Sequence, residues 1–358
     1  MQTTTLQPKT NGKETASHLN PEHIMKTGMG FWASKTLLAA IDFNLFSLLA
    51  DAPLSGTDIQ KKLGLHDRSL YDFLDALVAL GFLNREGIRQ TSVYSNTPET
   101  DFFLDKNKPT YLGGILEMGN HRLYKSWMDL EEGLTTGLPQ NEIKYSSNNS
   151  ENQFDKIYNS PDSLREFLSA MTGIQLGAFI SFAKQFDFSN YKTLTDAGGA
   201  LGSLCAQVAV NNPQMHCTVF DLPAVKPLAE EYISKLNLSD RVDVKAGDFF
   251  NDPLPGSDVI VMGNILHDWD EKEKLRLFRQ AFDALPEGGA FVCIEAIIDN
   301  ERRKNAFGLL MSLNMMIETR GGFDFTFNDF DNWAYQTGFK TTEWLPLAGP
   351  TSAAIAYK

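Results

Sequence analysis

The spacing of hydrophobic residues divides the chain into a helical N-terminal part and an alternating C-terminal part. Over 20–50 and 99–140 the apolar side chains recur at helical spacing. From Lys192 onwards, helical stretches alternate with short apolar runs that predict seven strands, at 193–197, 216–220, 242–246, 257–262, 290–296, 340–345 and 352–357. Helices between successive strands favour a parallel sheet covered on both faces. We therefore expect an α/β fold with a Rossmann-like, doubly wound, mostly parallel sheet in the C-terminal part.

Residues 55–95 have the element order of a winged-helix module. Two short helices separated by Gly64 precede a β wing near 83–92. The second helix, SLYDFLDALVAL, carries two Asp and no Lys or Arg, the reverse of a helix that reads a DNA groove. We therefore expect this N-terminal, all-α winged-helix domain to pack against protein. The predicted segments are a disordered tail (1–19), the winged-helix domain (20–100), a helical linker with pocket helices (101–186) and the α/β domain (187–358).

Charge and composition restrict the partners. The net charge of −13 gives no basic surface for nucleic acid, and it also disfavours an anionic membrane. The same charge argues against a DNA-binding regulator that senses a cofactor. The first 19 residues lack the apolar core of a secretory signal, no run of 18 apolar residues is present, and the three cysteines form no CxxC motif. We therefore predict a cytoplasmic protein without a nucleic-acid or membrane partner.

The stretch 193–223 predicts a nucleotide-binding βαβ unit. The first strand ends on Asp196, and Gly198, Gly199 and Gly202 allow a sharp turn with close approach to a ligand. The second strand ends on Asp221, at the distance where a carboxylate accepts hydrogen bonds from ribose hydroxyls. An acidic residue at the turn would repel a diphosphate and suits a cationic ligand. These residues favour S-adenosylmethionine over a dinucleotide.

Further polar residues follow the later strands. Asp248 and Phe249 come after the third strand, where they could bind and stack on an adenine. His267 follows the fourth strand, and ligand sites in open α/β sheets lie at such carboxyl ends. A neutral imidazole there can take a proton from a hydroxyl, with Glu295 and Asp324 as candidate carboxylates to orient it. No His/Asp/Glu cluster has ligand spacing, so we predict no metal.

The chain resembles the S-adenosylmethionine-dependent O-methyltransferases of the plant-caffeate and hydroxyindole type, including bacterial natural-product members. The resemblance covers roughly residues 20–358 and depends on DAGGALG (196–202), FDLP (220–223), GDFF (247–250), NILHDWDEKE (264–273) with ALPEGG (284–289), and GGFDFTFNDFDNWAYQTGF (321–339). It implies a homodimer formed through the N-terminal domain and methyl transfer to a hydroxyl of a small, aromatic or polyketide-like acceptor. Repurposed relatives catalyse pericyclic, decarboxylating or hydroxylating steps instead, and the fold does not exclude that alternative.

The resemblance also assigns site residues. His267 would be the general base, Glu295 would orient it, and Asp324 stands where the family has a second glutamate. The residues expected around the cofactor are Asp196, Gly198, Gly199, Gly202, Asp221, Leu222, Asp248, Phe249, Gly263 and Met171. Met311, Asn314, Met315 and Trp269 are candidates for an acceptor pocket, although a Met and Phe cluster is equally compatible with plain core.

Four positions depart from the family pattern, and Asp324 in the place of the second glutamate is one of them. Ala200 replaces the middle glycine of the turn, and Gly263 stands where many members have a lysine. In the GG-x-E-R-T stretch, Phe325 occupies the place of the arginine, so a fixed positive charge is missing next to Asp324.

Overall fold

The computed structural model describes residues 19–108, 110–144, 158 and 160–358, so most of the predicted tail lies outside the described residues. The described chain forms two compact units, one ending at Lys106 and one running from Asn107 to Lys358.

The first unit is mainly helical. Its helices are α1 (Glu22–Gly28), α2 (Gly30–Asp42), α3 (Leu45–Ala50), α4 (Gly56–Leu63), α5 (Leu70–Ala79) and α6 (Pro98–Leu104). Three short strands, β1 (Leu54–Ser55), β2 (Leu83–Glu86) and β3 (Val93–Asn96), form an antiparallel sheet in the order β1-β3-β2. Strands β2 and β3 form the predicted β wing after α5. Strand β1 pairs with β3 and adds a third strand, which the prediction of an all-α domain did not include.

Capping residues in the local sequence set both ends of helix α4 in this unit. The Ser55 side chain accepts a hydrogen bond from the Asp58 amide and caps α4, and Gly64 ends that helix with φ +67°. The core beneath the helices includes Phe46, Ile59 and Leu74, each almost fully buried.

The second unit begins with a helical layer. A nearly continuous stretch comprises α7 (Gly113–Met118), a π-helical turn (Gly119–Leu123), α8 (Tyr124–Ser126), a 3-10 turn (Trp127–Asp129) and α9 (Leu130–Thr136), and it is followed by the long helix α10 (Pro161–Gln185). Helix α10 packs against α7 and against a helix of the α/β layer, and Phe182 buries its ring in the core. Its Ser163–Gln185 stretch is long and apolar enough to cross a membrane by length and composition, a weak criterion that core helices also meet.

The α/β layer has the predicted alternation. Its strands are β4 (Thr193–Ala197), β5 (His216–Asp221), β6 (Val242–Ala246), β7 (Val259–Gly263), β8 (Ala290–Glu295), β9 (Thr341–Pro346) and β10 (Ser352–Tyr357). The helices between them are α11 (Ser203–Asn211), α12 (Lys226–Lys235), α13 (Glu271–Ala284), α14 (Ala306–Glu318) and α15 (Phe327–Thr337). The sheet order is β6-β5-β4-β7-β8-β10-β9. The pairs from β6 to β8 are parallel, and β10 is antiparallel to both of its neighbours, so the mostly parallel sheet is confirmed.

Alternating side chains bury both faces of the sheet. In β7, Val259 and Val261 join the cluster around Phe182, whereas Ile260 and Met262 join the cluster around Phe278 on the opposite face. This strand begins two residues later than the pattern predicts, at Val259. The carboxylate of Asp258, just before it, accepts hydrogen bonds from the amides of Lys192 and Thr193 at the start of β4.

Candidate active site

The strand order places four functional loops at one edge of the sheet. Strand β4 lies between β5 and β7, and β8 lies beyond β7. The chain therefore runs outwards in both directions from β4, and ligands bind at such a switch point, outside the carboxyl ends of the strands. Asp196, Asp221, Gly263 and Glu295 all lie at or next to these carboxyl ends.

The glycine turn after β4 is tightly packed. Gly198 and Gly202 have φ of +77° and +84°, where L side chains are strained. A Cβ on Gly198 would lie 2.4 Å from Ile265 Cδ1, and one on Gly202 would lie 2.6 Å from Val219 Cγ2. A Cβ on Gly199 would lie 2.8 Å from Oδ2 of Asp196. All three glycines are therefore required by geometry, and Gly198 and Gly199 also open the loop towards a ligand.

Ala200 keeps the shape of the turn despite its side chain. Its φ is +48°, a left-handed conformation that costs a non-glycine residue about 1–2 kcal/mol. In that conformation its amide donates to Oδ2 of Asp221 at 2.8 Å, while the Leu222 amide donates to Oδ1 at 2.7 Å. The Asp221 carboxylate at the end of β5 is thus fixed to the turn that follows β4.

A cavity opens beside this turn, with an empty volume of about 250 Å³. It is lined by Met171, Thr172, Gln175, Phe179, Asp196, Gly198, Gly199, Ala200, Ser203 and Gly263. The fold therefore brings Met171 and Gly263 to the glycine turn. The sequence did not indicate Thr172, Gln175 or Phe179 as cavity residues. The i, i+4 relation of Gln175 to Met171 along α10 would have placed Gln175 on the same helix face. A Cβ on Gly263 would lie 3.0 Å from Gln175 Oε1 and 3.2 Å from Phe179 Cε1, so Gln175 and Phe179 crowd the place of the family lysine.

The electrostatics of the cavity suit a cation. Burial, reinforced by the charge of Asp221, raises the pKa of Asp196 to about 8. Burial also raises the pKa of Asp221 to about 6, although the two amides of the turn oppose the shift. A sulfonium or ammonium bound nearby would favour the charged form of Asp196. The residues present therefore fit S-adenosylmethionine, with Asp196 and two glycines of the turn lining the cavity. The predicted bonds from Asp221 to the ribose stay a prediction.

The loop after β6 contributes an aromatic wall. Cε1 of the Phe249 ring lies 3.6 Å from the position that a Cβ on Gly198 would occupy. Phe249 and Phe250 meet the Trp269 ring edge to face, with centroids 6.2 and 4.6 Å apart. Both oxygens of Asp248 already accept hydrogen bonds from their own loop, from the Phe250 amide and from Asn251 Nδ2. The predicted bond from Asp248 to adenine stays a prediction.

A buried cluster surrounds His267 in the 3-10 turn (Leu266–Asp268) after β7. Oε1 of Glu295 accepts hydrogen bonds from the Ile265 and Leu266 amides, which leaves Oε2 at 3.3 Å from His267 Nδ1. Oδ1 of Asp324 lies 3.4 Å from the same nitrogen. Both carboxylates predicted from the sequence therefore lie at Nδ1, and Asp324 reaches it directly despite its short side chain.

Asp268 lies next to the other ring nitrogen and was not expected to be part of the cluster. Its Oδ1 is 3.8 Å from His267 Nε2, and its side chain is buried. Burial by itself lowers the pKa of His267, but the charges of Glu295, Asp324 and Asp268 outweigh it and raise this pKa to about 10. The imidazole is thus a strong base when neutral and holds its proton firmly near neutral pH.

His267, Glu295 and Asp324 also place one ligand atom each within 4.8 Å of the others, a set that could hold a metal ion. The sequence spacing did not reveal this grouping. The prediction of no metal stays a prediction.

One face of α14 carries the predicted pocket residues. Met311, Asn314 and Met315 recur at helical spacing, and Glu318 continues the same face. Asn314 Oδ1 accepts a hydrogen bond from Trp127 Nε1 at 2.8 Å. Glu318 pairs with Arg122 of the π-helical turn, and π-helical turns are frequent at functional sites. The sequence did not indicate that Glu318 belongs to this face or that Arg122 and Trp127 contact it. Only Glu318 could have been inferred, from its i, i+4 relation to Asn314.

The comparisons with known proteins agree with this geometry. A family model described as the O-methyltransferase domain matches residues 127–340, and one described as the O-methyltransferase dimerisation domain matches residues 25–106. The tetracenomycin polyketide synthesis 8-O-methyl transferase TcmO of Streptomyces glaucescens is 36% identical over 338 residues, 94% of this chain and 97% of that protein. The N,N-dimethyltransferase OxyT of Streptomyces rimosus is 34% identical over 77% of this chain and 78% of its own length.

A solved structure supports the fold and the cofactor. The structure of human N-acetylserotonin methyltransferase in complex with S-adenosylmethionine superposes with a TM-score of 0.88 and 26% identity, covering 97% of this chain and 99% of that one. Two family models, two relatives more than 30% identical and an architecture shared along nearly the whole length establish the family. This chain therefore belongs to the O-methyltransferase family and is an S-adenosylmethionine-dependent O-methyltransferase.

Proposed function

We propose that this enzyme methylates a hydroxyl of a small aromatic acceptor of polyketide type, with His267 as the general base. The observation that carries the base assignment is a buried imidazole in the turn after β7, with two carboxylates at its Nδ1. A proton on Nδ1 leaves the lone pair of a neutral ring on Nε2. The carboxylates therefore select the tautomer that can accept a proton.

S-adenosylmethionine supplies an electrophilic methyl group when bound. The acceptor oxygen would take that methyl group as the carbon–sulfur bond breaks, with the bonding electron pair staying on sulfur. The hydroxyl proton passes to Nε2 of His267. Holding the oxygen close to the methyl and in line with it would supply most of the rate, as in other bimolecular reactions carried out within one site.

The acceptor class is supported by the face formed by Met311, Asn314 and Met315. Thioether side chains adapt to flat aromatic molecules, and Asn314 supplies a polar group. The name of the relative TcmO refers to a polyketide, which fits the same class. Trp269 lies with Phe249 and Phe250 and would close the aromatic wall near the cofactor.

Product analysis tests the reaction. The enzyme with S-adenosylmethionine should convert members of a panel of polycyclic phenols to methyl ethers, with one S-adenosylhomocysteine formed per ether. Matched aromatic amines form the second arm, because the relative OxyT is named as an N,N-dimethyltransferase. Methylation of the amines alone would contradict the proposal. Conversion of an acceptor without S-adenosylhomocysteine would favour a non-methylating reaction.

We also propose that the first unit forms a homodimer. It matches the family dimerisation domain, and helices α1 and α2 expose large apolar side chains, with Ile24 73% and Trp32 62% exposed. Monomeric proteins rarely leave such a patch in water. The net charge of −13 supports the absence of nucleic-acid and anionic-membrane partners, and a cytoplasmic location remains part of this proposal.

The Ile24→Glu/Trp32→Glu double variant is expected to be monomeric, because two charges would have to be buried in the interface. Light scattering coupled to size exclusion measures the mass. Val210→Glu in α11 is the control, since Val210 is 61% exposed in the second unit. A double variant that stays dimeric would place the interface elsewhere.

A further inference from the structure

Arg122 and Glu318 form a buried ion pair in which two polar atoms have no partner. Nη1 of Arg122 donates a hydrogen bond to Oε2 of Glu318, and Nε of Arg122 donates to Oε1 of Glu142 at 2.9 Å. Among the residues that the structure describes, none bonds to Nη2 of Arg122 or to Oε1 of Glu318, and both atoms are buried. A guanidinium and a carboxylate frequently meet in two parallel hydrogen bonds. Here only one of the two is made.

The two unpaired atoms are costly for the free protein. Glu318 is only 4% exposed, and a buried polar atom without a hydrogen bond has lost its hydration without compensation. Such atoms are few in native proteins, and they indicate places where water or a ligand completes the bonding. The ion pair therefore presents one donor and one acceptor to a group from outside the chain.

The other atoms of the pair are held in place by the segment after α9. Nδ2 of Asn141 donates to the backbone carbonyl oxygen of Glu318 at 2.8 Å, and the adjacent Glu142 accepts from Arg122. The last turn of α14 and the π-helical turn are thus bound to the same short segment. Because the donor and the acceptor are fixed before a ligand arrives, little conformational freedom is lost on binding.

The ion pair lies on the α14 face that we propose for the acceptor. Glu318 follows Asn314 by four positions, so the two side chains share one side of the helix. Asn314 accepts a hydrogen bond from Trp127, and Glu318 accepts one from Arg122. The stretch from Arg122 to Trp127 therefore runs antiparallel to α14 along this face.

The same end of α14 is connected to the turn that holds His267. Thr319, the residue after Glu318, accepts a hydrogen bond from the Gly322 amide through its Oγ1 at 2.7 Å. A Cβ on Gly322 would lie 2.5 Å from the carbonyl oxygen of His267, so the two backbones are in direct contact. The ion pair and the proposed base thus belong to one region of the second unit.

We propose that Arg122 and Glu318 recognise a second hydroxyl of the acceptor, one that the enzyme does not methylate. A hydroxyl is the smallest group that both accepts and donates a hydrogen bond. It would accept from Nη2 of Arg122 and donate to Oε1 of Glu318, which completes the interrupted pair. This inference rests on the proposed O-methylation and narrows the acceptor to aromatic molecules with at least two hydroxyls.

The charges around the pair favour a neutral group over an anion. Arg122 lies between two carboxylates, Glu318 and Glu142, so one positive charge faces two negative charges. A carboxylate on the acceptor would meet this negative excess and would have no proton for Oε1 of Glu318. A methoxy group accepts from Arg122 but also lacks that proton, so it should fit less well than a hydroxyl.

The first measurement is kcat/KM of the wild-type enzyme on matched acceptors. The panel contains monohydroxynaphthalenes and monohydroxyanthracenes, their dihydroxy isomers, and analogues with methoxy or carboxylate in place of the second hydroxyl. At least one dihydroxy isomer should exceed its monohydroxy parent and its methoxy analogue by about 10–100-fold, the range for hydrogen bonds to charged groups. The carboxylate analogue should be the poorest of the set.

Two variants test the pair itself. Glu318→Gln keeps the size of the side chain but loses the charged acceptor, and Arg122→Lys keeps the charge but lacks Nη2. Both should bring the hydroxyl-to-methoxy ratio of kcat/KM down to about 1, mainly through KM, because a contact remote from the reacting oxygen acts on binding. Glu131→Gln, the same substitution at an exposed position of α9, is the control and should retain the wild-type ratio.

The outcomes separate this inference from the proposed function. Equal wild-type values for dihydroxy, methoxy and monohydroxy acceptors would overturn the inference and leave O-methylation intact, whereas no methyl ether from any phenol would overturn the proposed function. Lower kcat for every acceptor with an unchanged ratio in the variants would show that the ion pair is only structural. Thermal melting identifies a variant that fails to fold, and the wild-type ratios then decide.

Discussion

Replacement of His267 by alanine is expected to lower kcat by about 10²–10⁴-fold, the range typical of a lost general base. Affinity for S-adenosylmethionine should remain near that of the wild type, because His267 does not line the cavity at the glycine turn. The measurements are initial rates with a phenol acceptor and calorimetric titration with the cofactor. An exposed histidine at the start of β5, His216, provides the matched control.

Glu295→Gln separates orientation from charge at the same site. The amide oxygen can still accept the Ile265 and Leu266 hydrogen bonds, but the charge next to Nδ1 is lost. Its kcat should therefore fall less than that of His267→Ala. Turnover in His267→Ala equal to the wild type would contradict the base assignment.

The second large effect is expected for the cofactor at Asp221. Its two oxygens accept the amides of Ala200 and Leu222, and we propose that they also accept the ribose hydroxyls. In Asp221→Asn one of these amides would face an NH2 group, and the charge would be lost. Hydrogen bonds to charged groups contribute about 1.5–3 kcal/mol, so the Kd for S-adenosylmethionine should rise about 10–100-fold.

The same carboxylate predicts a pH dependence for the wild type. Only the charged form accepts from both amides and the ribose, and the pKa of Asp221 is raised to about 6. Cofactor affinity should therefore decrease as the pH falls through about 6, and Asp221→Asn should lose this dependence. Asp243→Asn, an exposed position in β6, is the control for calorimetry. Unchanged affinity in Asp221→Asn would remove this residue from the cofactor site.

The predicted strands were found because local patterns decide them. Each of the seven apolar runs became a strand, three with the predicted ends and four with ends displaced by one or two residues. At 257–262 the strand begins at Val259, directly after Asp258, whose carboxylate caps the neighbouring strand β4. Such a cap depends on a residue 66 positions away and has no local signature.

The departures from the family pattern could be seen in the sequence but not interpreted there. Ala200 keeps its left-handed conformation, and its amide still meets Asp221. Gly263 leaves room that Gln175 and Phe179 of α10 fill. In each position, the neighbours that explain the departure come from other elements of the fold.

The sequence by itself determined the α/β alternation, the glycine turn and the chemical types of the site, because periodicity, backbone freedom and side-chain chemistry are local properties. The tertiary structure decided which charges act on one another. It placed Asp324 at the imidazole from 57 positions away and brought Asp268 to Nε2. The pKa of His267 depends on the sum of these charges at short range in a buried site, and their distances exist only once the sheet and helices have packed.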